Sequence, residues 1–348
     1  RSGSLWFFIP SNPTITFGGF IGESKSEIYQ QLPPGSFPKS ILVQSSLSRV
    51  EVEARFITAA FTFPVAVKPD VGMMGYMFRK VNSMRQLLQY HDAMESPYLI
   101  QRLITYPLEV SIFYFRHPNA AKGNITGFVK KEFMKVTGDG QSTLRELIMN
   151  YPRASFKRRE LLSKHESKLN TIIPAGETYI LSYALNLSRG GKLVSLENKK
   201  DNQLLNVFDS LSHFTKTFYY GRFDIRCRSI EDLKNGKNYS ILEYNGCGAE
   251  PHHIYGNGYS FLEACMTLIQ HWKILRQISM YNYRHGVPRW GFWRGLRFTL
   301  NARRYFRKLR ALDSTFEFRN HSPAESYSLG FRASEYVGEG IVTQEAAT

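Results

Sequence analysis

The stretch that most restricts what this chain can fold into is Phe223-Asp-Ile-Arg226 and, a short way on, Ile241-Leu-Glu-Tyr-Asn245. Both pieces read as strands. Lys234-Asn-Gly-Lys237 between them reads as the turn of a hairpin, because Asn-Gly accepts the positive φ values of tight hairpin turns. Strand side chains alternate between faces. Arg222, Asp224 and Arg226 therefore share one face, with Phe223 and Ile225 on the other. On the second strand Glu243 and Asn245 share a face opposite Leu242 and Tyr244. If the polar faces coincide, Asp224, Glu243 and Asn245 form a cluster of hard oxygens flanked by two arginines. Oxygens of this kind suit Mg²⁺, which keeps several waters and takes further ligands from substrate phosphates. The competing reading is an ordinary hairpin with a solvated polar face.

At 348 residues the chain has room for two domains, or one domain of two lobes. Its net charge of +16 is unevenly placed: Ala264 to Leu312 holds eleven Lys/Arg and no Asp or Glu. The remainder is near balance, so the basicity belongs to one segment. Cys227, Cys247 and Cys265 are too few and too scattered for a disulfide framework or a zinc site, which fits a reducing, cytoplasmic compartment. No run reaches the ~18 apolar residues of a spanning helix. Phe56 to Val67 comes nearest and reads as core. The chain begins at Arg1, so a preceding anchor or domain stays open.

In chain order, Leu5 to Ile9 reads as a strand and Ser24 to Leu32 as a short helix with Lys25 at its start. A lysine there opposes the helix dipole and suggests an anion partner, with a solvated lysine as the alternative. Pro38 to Val43 is a strand and Ser48 to Ala60 a helix. Phe63-Pro-Val-Ala-Val-Lys-Pro69 is a strand that sends Val65 and Val67 to one face and Lys68 to the other. Asp70-Val-Gly-Met-Met-Gly75 then leads to a second strand, Tyr76 to Val81. No Gly-Lys-Ser/Thr loop between strand and helix occurs. Gly72 and Gly75 instead join two strands, and such a loop can fold as a flap with N–H groups turned toward phosphates. Asn82-Ser83 caps a helix to about Glu95, and strands follow at Tyr98 to Ile104 and Glu109 to Phe115.

Further on, Val129 to Val136 reads as one strand, Gly138 to Gly140 as a turn, and Thr143-Leu-Arg-Glu146 as a capping box. A basic helix is expected over Ala154 to Ser167, strands over Glu177 to Leu187 and Leu193 to Glu197, and a helix over Asn206 to Tyr219. Gly246 and Gly248 let the backbone come close to a ligand. His252 and His253 point apart if extended; one of them can contact substrate, with a surface or core role the alternative for each. A helix runs from Ser260 to about Tyr283. Arg289 to Arg310 mixes Trp, Phe and Leu with arginines. That composition suits an amphipathic helix on an anionic membrane surface; nucleic acid and a plain solvated basic face are the other readings. Residues 313–348 read as a loosely ordered tail.

Together these segments resemble the ATP-grasp superfamily, in particular carboxylate–amine ligases such as D-alanine–D-alanine ligase, over roughly residues 22 to 260. The matching pieces are Glu23-Ser-Lys-Ser26, Pro38 to Val43, Phe63 to Pro69 with its glycine flap, Leu99 to Ile104 followed by Glu109, Gly221-Arg-Phe-Asp224 and Leu242-Glu-Tyr-Asn-Gly246. Gly138 to Ile148 is similar to a segment of cyanophycin synthetase-type ligases. The resemblance implies an α+β fold of two lobes clasping Mg-ATP, at residues 36–100 and 101–275, after a truncated segment 1–35 and before a basic extension 276–348. It implies that Lys25, Lys68, Gly72 and Gly75 contact ATP phosphates, that Gln101 and Ile104 lie at the adenine, and that Glu109 binds ribose. It places Asp224, Glu243 and Asn245 on Mg²⁺ and Arg222 at an acyl phosphate, with the Gly248 N–H as an oxyanion donor and Arg226 as a further anion-binding group. The implied activity joins a carboxylate to an amine of small-molecule or peptide substrates, with a dimer expected. A kinase on the same fold, or a non-catalytic membrane or nucleic-acid adaptor, are the alternatives. The family's usual full domain ahead of the ATP-binding lobes is reduced here to about 24 residues, which leaves the substrates unassigned.

Overall fold

The structure is a computed structural model, and it describes residues 2–151, 157–182 and 191–319. In chain order the elements are α1 (Lys25–Tyr29), β1 (Ser40–Val43), α2 (Arg49–Thr58), β2 (Val65–Pro69), β3 (Arg79–Val81), α3 (Met84–Ala93), β4 (Tyr98–Arg102) and β5 (Leu108–Phe115). Next come β6 (Asn124–Glu132), β7 (Met134–Thr137), α4 (Leu144–Asn150), α5 (Arg158–Lys164), β8 (Thr178–Ser182), β9 (Lys192–Ser195) and α6 (Asn202–Thr215). The chain continues through β10 (Tyr220–Cys227), α7 (Ile230–Lys234), β11 (Tyr239–Asn245), α8 (His253–Gly256), α9 (Phe261–Arg284) and α10 (Phe292–Thr315). The described residues up to Phe316 belong to one compact unit.

The architecture is α+β with antiparallel sheets. A four-stranded sheet has the order β1-β4-β2-β3, a five-stranded sheet β11-β10-β5-β6-β9, and β7 pairs with β8 separately. Helix starts follow local chemistry. The Ser48 and Thr143 hydroxyls accept the N–H of Glu51 and Glu146, whose carboxylates accept the cap N–H in return. Ser260 caps α9 in the same way, and the Ser83 hydroxyl accepts the Gln86 N–H at the start of α3. These bonds satisfy N–H groups that a helix start leaves without partners.

The first sheet buries Val65, Val67, Val81 and Ile100 beneath α2 and α3, whose Val52, Phe56 and Leu87 are also buried. The second sheet buries Ile112, Phe223, Ile225, Ile241 and Tyr244 against Leu204, Phe208 and Leu211 of α6. A further cluster joins Phe8, Ile9 and Phe17 to Phe113, Tyr220 and to Leu275 and Ile278 of α9. Met134, Val136, Leu144, Ile148 and Leu161 form a smaller core around β7 and β8.

Several expectations change. Leu5 to Ile9 is not a strand but a run of turns ending in a short 3₁₀ segment, Ile9–Ser11. Its Trp6 and Phe8 pack ring against ring with each other and with Phe17, so the apolar run is satisfied by contacts rather than by a ladder. Val129 to Val136 divides into β6 and β7, which belong to different sheets. Asn235-Gly236 is not a two-residue hairpin turn: it ends α7, with Gly236 at φ +66°. Ser229 caps α7 through the Asp232 N–H, so the connection forms a helical turn first. The basic helix is described as α5 only from Arg158, and the expected strand after Ser182 and the tail from residue 320 lie outside the described residues.

Candidate functional site

The pairing of β10 with β11 sets Arg222 opposite Asn245 and Asp224 opposite Glu243, so the two polar faces coincide. The register then shifts, with Ile225 opposite Ile241, which leaves Leu242 as an extra residue in β11. A bulge of this kind leaves one residue out of the ladder. The Leu242 carbonyl takes up two groups from the other side: the Lys68 ammonium donates to it at 3.1 Å, and the Tyr29 hydroxyl donates as well. The bulge thereby joins the five-stranded sheet to β2 and α1.

Asp224 is the centre of the polar face. Arg222 donates to both of its carboxylate oxygens, at 3.2 and 3.1 Å. Lys131 of β6 stands 3.3 Å from it, the Ser111 hydroxyl donates to it, and the Asn245 amide donates at 3.2 Å. Burial alone would raise the Asp224 pKa, but Arg222 and Lys131 outweigh burial and hold the carboxyl well below its usual range. Lys131 also bonds Glu109 at 3.1 Å. Burial pulls its pKa down, yet Asp224 and Glu109 leave it raised overall. Arg226 donates to Glu109 at 3.2 Å and to the Ile104 carbonyl at 3.0 Å.

Across from this face lies the loop between β2 and β3. Lys25 donates to the Gly72 carbonyl at 2.9 Å and stands 3.5 Å from Glu243. Gly75 has φ +70°, a conformation that suits glycine. Lys68 is buried and donates to the Tyr29 hydroxyl at 2.9 Å. Burial is the main influence on it and lowers its pKa to about 8, against the pull of Glu243 and Asp70. The Gln101 amide donates to Tyr29 and Ser40, so its side chain braces α1 and β1.

Between the loop and the polar face is a cavity of about 450 Å³. Lys25, Lys68, Gly72, Gly75, Gln101, Ile104, Glu109, Asp224, Arg226 and Glu243 line it. The structure thus gathers ten of the thirteen site residues expected from the sequence around one space. Arg222 and Asn245 reach it through Asp224. Gly248 does not: its N–H donates to the Gly19 carbonyl at 3.0 Å, and a Cβ there would lie 2.2 Å from the Phe20 carbonyl oxygen. At Gly246 and Gly248 the backbone packs closely on that of Gly18 to Phe20.

Lys80 and Lys131 also line the cavity and escaped the sequence reading. Lys131 sits in a Lys130-Lys131 pair that reads as solvated. Only the pairing of Glu109 with Lys131 and of Ser111 with Val129 shows which lysine faces inward. His252 lies near Ser111, Nδ1 to Oγ 3.3 Å, and burial followed by the Arg222 charge lowers its pKa to about 3. His252 is therefore neutral at pH 7.

No protein-family model and no curated protein sequence matches the chain. Among solved structures, it is similar to a bifunctional glutathione synthetase from Pasteurella multocida at 13% identity and TM-score 0.45, over 74% of this chain and 38% of that one. It is also similar to D-alanine–D-alanine ligase from Bacillus anthracis, at 13% identity and TM-score 0.39, over 75% of this chain and 67% of the other. A third is the ATP-grasp ligase PsnB, solved with a minimal precursor, at 13% identity and TM-score 0.37, over 72% and 60% of the two chains. The chain spans little more than a third of the first of these. With TM-scores below 0.5, these similarities carry no argument about fold or activity. The fold itself is α+β with antiparallel sheets, as expected from the sequence.

Proposed function

We propose that the chain is an ATP-dependent ligase that joins a carboxylate to an amine through an acyl phosphate. The observation that carries this reading is the cavity itself: Lys25 and Lys68 enter it from one side, Lys131 and Arg226 from the other, with Asp224, Glu243 and Glu109 between them. Cations converging from two sheets on one space suit a polyphosphate, whose charge they offset. Lys25, Lys68 and the loop at Gly72 and Gly75 are assigned to the phosphates, the backbone from Gln101 to Ile104 to the base, and Glu109 to the ribose. The lobes are assigned to residues 36–102 and 103–275; the boundary moves from residue 100 because β4, Tyr98–Arg102, pairs wholly within the four-stranded sheet.

The donor set fits Mg²⁺. Among the described residues no group of three His, Cys, Asp or Glu could hold an ion unaided. Mg²⁺ commonly takes one or two carboxylates and completes its shell with phosphate and water. Asp224, held ionised, and Glu243 would supply the carboxylates and Asn245 an amide oxygen. When bound, the ion would offset charge on the phosphates.

In the first step a carboxylate oxygen attacks the γ-phosphorus and ADP leaves. In the second the amine attacks the acyl carbon, phosphate leaves, and the amine proton passes to solvent. Both steps gather negative charge on oxygen, which lysine and arginine stabilise. Arg222 is assigned to the acyl phosphate, exchanging its present contacts with Asp224 and the Glu250 carbonyl for it. Gly248 is left out of the assignment, since its N–H is already bonded.

The test is calorimetric titration with a non-hydrolysable ATP analogue, with and without Mg²⁺. Mg-dependent binding that Lys68→Ala abolishes is expected; no binding to the unsubstituted chain would sink the reading. Product analysis then separates ligase from kinase. A ligase releases ADP and phosphate only when acid and amine are both present, whereas a kinase leaves a stable phosphorylated product.

A further inference from the structure

Two helices outside the cavity leave large apolar side chains in solvent. On α9, Phe261 is 87% exposed, Ile269 55% and Trp272 61%, and Leu262 and Met266 are exposed as well. Leu262, Met266, Ile269, Lys273 and Arg276 follow helical spacing and share one face. That face is apolar over its first turns and basic after them. On α10, Trp293 is 76% exposed and Leu300 53%. They share a face with Arg297 and Arg304, both also exposed. Arg276 of α9 and Arg289 of the connection into α10 meet at Ser2, whose hydroxyl accepts from Arg276 at 3.1 Å and whose carbonyl accepts from Arg289 at 2.6 Å. The basic end of the α9 face thus adjoins the connection that leads into α10.

We infer that these two helix faces dock on an anionic lipid bilayer, lying in its interface. Interfacial helices combine bulky apolar side chains with Lys and Arg on one surface. The charge argues for an anionic partner, because no acid occurs from Ala264 to Leu312. The same charge argues against a second copy of the chain, which would set like charges together. Phe261, Trp272 and Trp293 could stack on bases, but the aliphatic stretch Leu262, Met266 and Ile269 beside them suits acyl chains better than a single strand, whose grooves pair rings with a basic track. No helix among the described residues is long and apolar enough to cross a membrane, so docking would be at the surface. The sequence pointed only to residues 289–310; the exposed first half of α9 is added by the structure. This inference is independent of the ligase reading.

The experiment is flotation of the full chain with phosphatidylcholine vesicles, with and without phosphatidylserine, over a salt series. Binding that requires phosphatidylserine and weakens with salt is expected. Leu262→Glu with Ile269→Glu should abolish it, and each of Arg297→Ala and Arg304→Ala should weaken it about fivefold. These side chains are exposed, so circular dichroism should show unchanged folding, and the salt series on the unsubstituted chain needs no variant. Equal binding to neutral vesicles, no binding to either, or variants that float normally would each overturn the proposal. So would self-association in sedimentation that Leu262→Glu abolishes, or binding of single-stranded RNA that these substitutions remove.

Discussion

Asp224 shows how much of the site is settled by charges placed on neighbouring strands. A carboxylate this buried is tolerable only when cations compensate it, and Arg222 and Lys131 do so from two different strands. Asp224→Asn should lower stability at pH 7 by about 3–5 kcal/mol in a urea titration, since it takes from half-buried Arg222 its carboxylate partner and leaves buried Lys131 with Glu109 alone. The sign with pH follows from the depressed native pKa. The contribution is complete above the unfolded value near pH 4, about where model carboxylates titrate, and is lost as pH falls toward the native value. The variant should therefore show a flatter acid limb than the parent. Lys68 runs the other way. With its native pKa lowered to about 8 by burial, the unfolded chain holds a proton that the folded chain lacks between about pH 8 and 10.5, so stability rises with pH across that window. Nucleotide phosphates would favour the charged lysine, so binding above pH 8 should take up a proton. Titration calorimetry in buffers of different ionisation enthalpy would read this, and Lys68→Arg, always protonated, should remove it. Asp224 and Lys68 were both legible in the sequence: Asp224 is the one acid between Arg222 and Arg226 on its strand face, and Lys68 is the one charge on its own. Lys131 was not, because its meaning depends on a partner 22 residues away.

Among the elements, caps were the most readable feature and strand ends the least. Ser-x-x-Glu and Thr-x-x-Glu fix a helix start from four residues alone, and α2, α4 and α9 begin where those residues stand. The split of β6 from β7 and the small helix α7 depend on which sheet each strand joins, a tertiary choice that a single apolar run does not express. The contact of α10 with the glycine loop was equally hidden. Tyr305 donates to the Val71 carbonyl at 2.8 Å, and Asp313 accepts from the Met77 N–H and from Arg79, each at 2.8 Å. A basic helix read from sequence as a surface feature thus also holds the loop over the cavity on its inner side. Asp313→Ala should cost about 1–3 kcal/mol, since it leaves a partly buried N–H and a guanidinium short of an acceptor. Hydrogen exchange should quicken at residues 70–79 while α9 stays protected; unchanged exchange in the loop would show that α10 does not restrain it. Gly248→Ala tests a different join. Its Cβ would meet the Phe20 carbonyl oxygen at 2.2 Å, so the two crossing segments must part. A loss of about 1–3 kcal/mol is expected from thermal or urea unfolding, with little change in nucleotide affinity, because Gly248 is outside the cavity.

At the scale of the molecule, the site belongs to neither sheet alone. The cavity takes Lys68, Gly72 and Gln101 from the four-stranded sheet and its loop, and Glu109, Lys131, Asp224 and Glu243 from the five-stranded one. Such a site was legible in outline, since each wall carries its own motif. The distance between the walls was not, since it is set by the bulge that frees the Leu242 carbonyl for Lys68. A ligand bridging two walls stabilises both together. With analogue at about a hundred times its dissociation constant, mass action adds about 2.7 kcal/mol to the folded state. Calorimetric melting should then show the described unit shift upward by several degrees as one transition. The informative comparison is between variants of opposite walls. Lys68→Ala and Glu243→Ala should each remove the shift, although they lie on different sheets, while Ile57→Ala on the exposed side of α2 should keep it. If Glu243→Ala melts with the full shift, the five-stranded wall contributes nothing to nucleotide binding, and the clasp between the sheets is not the site.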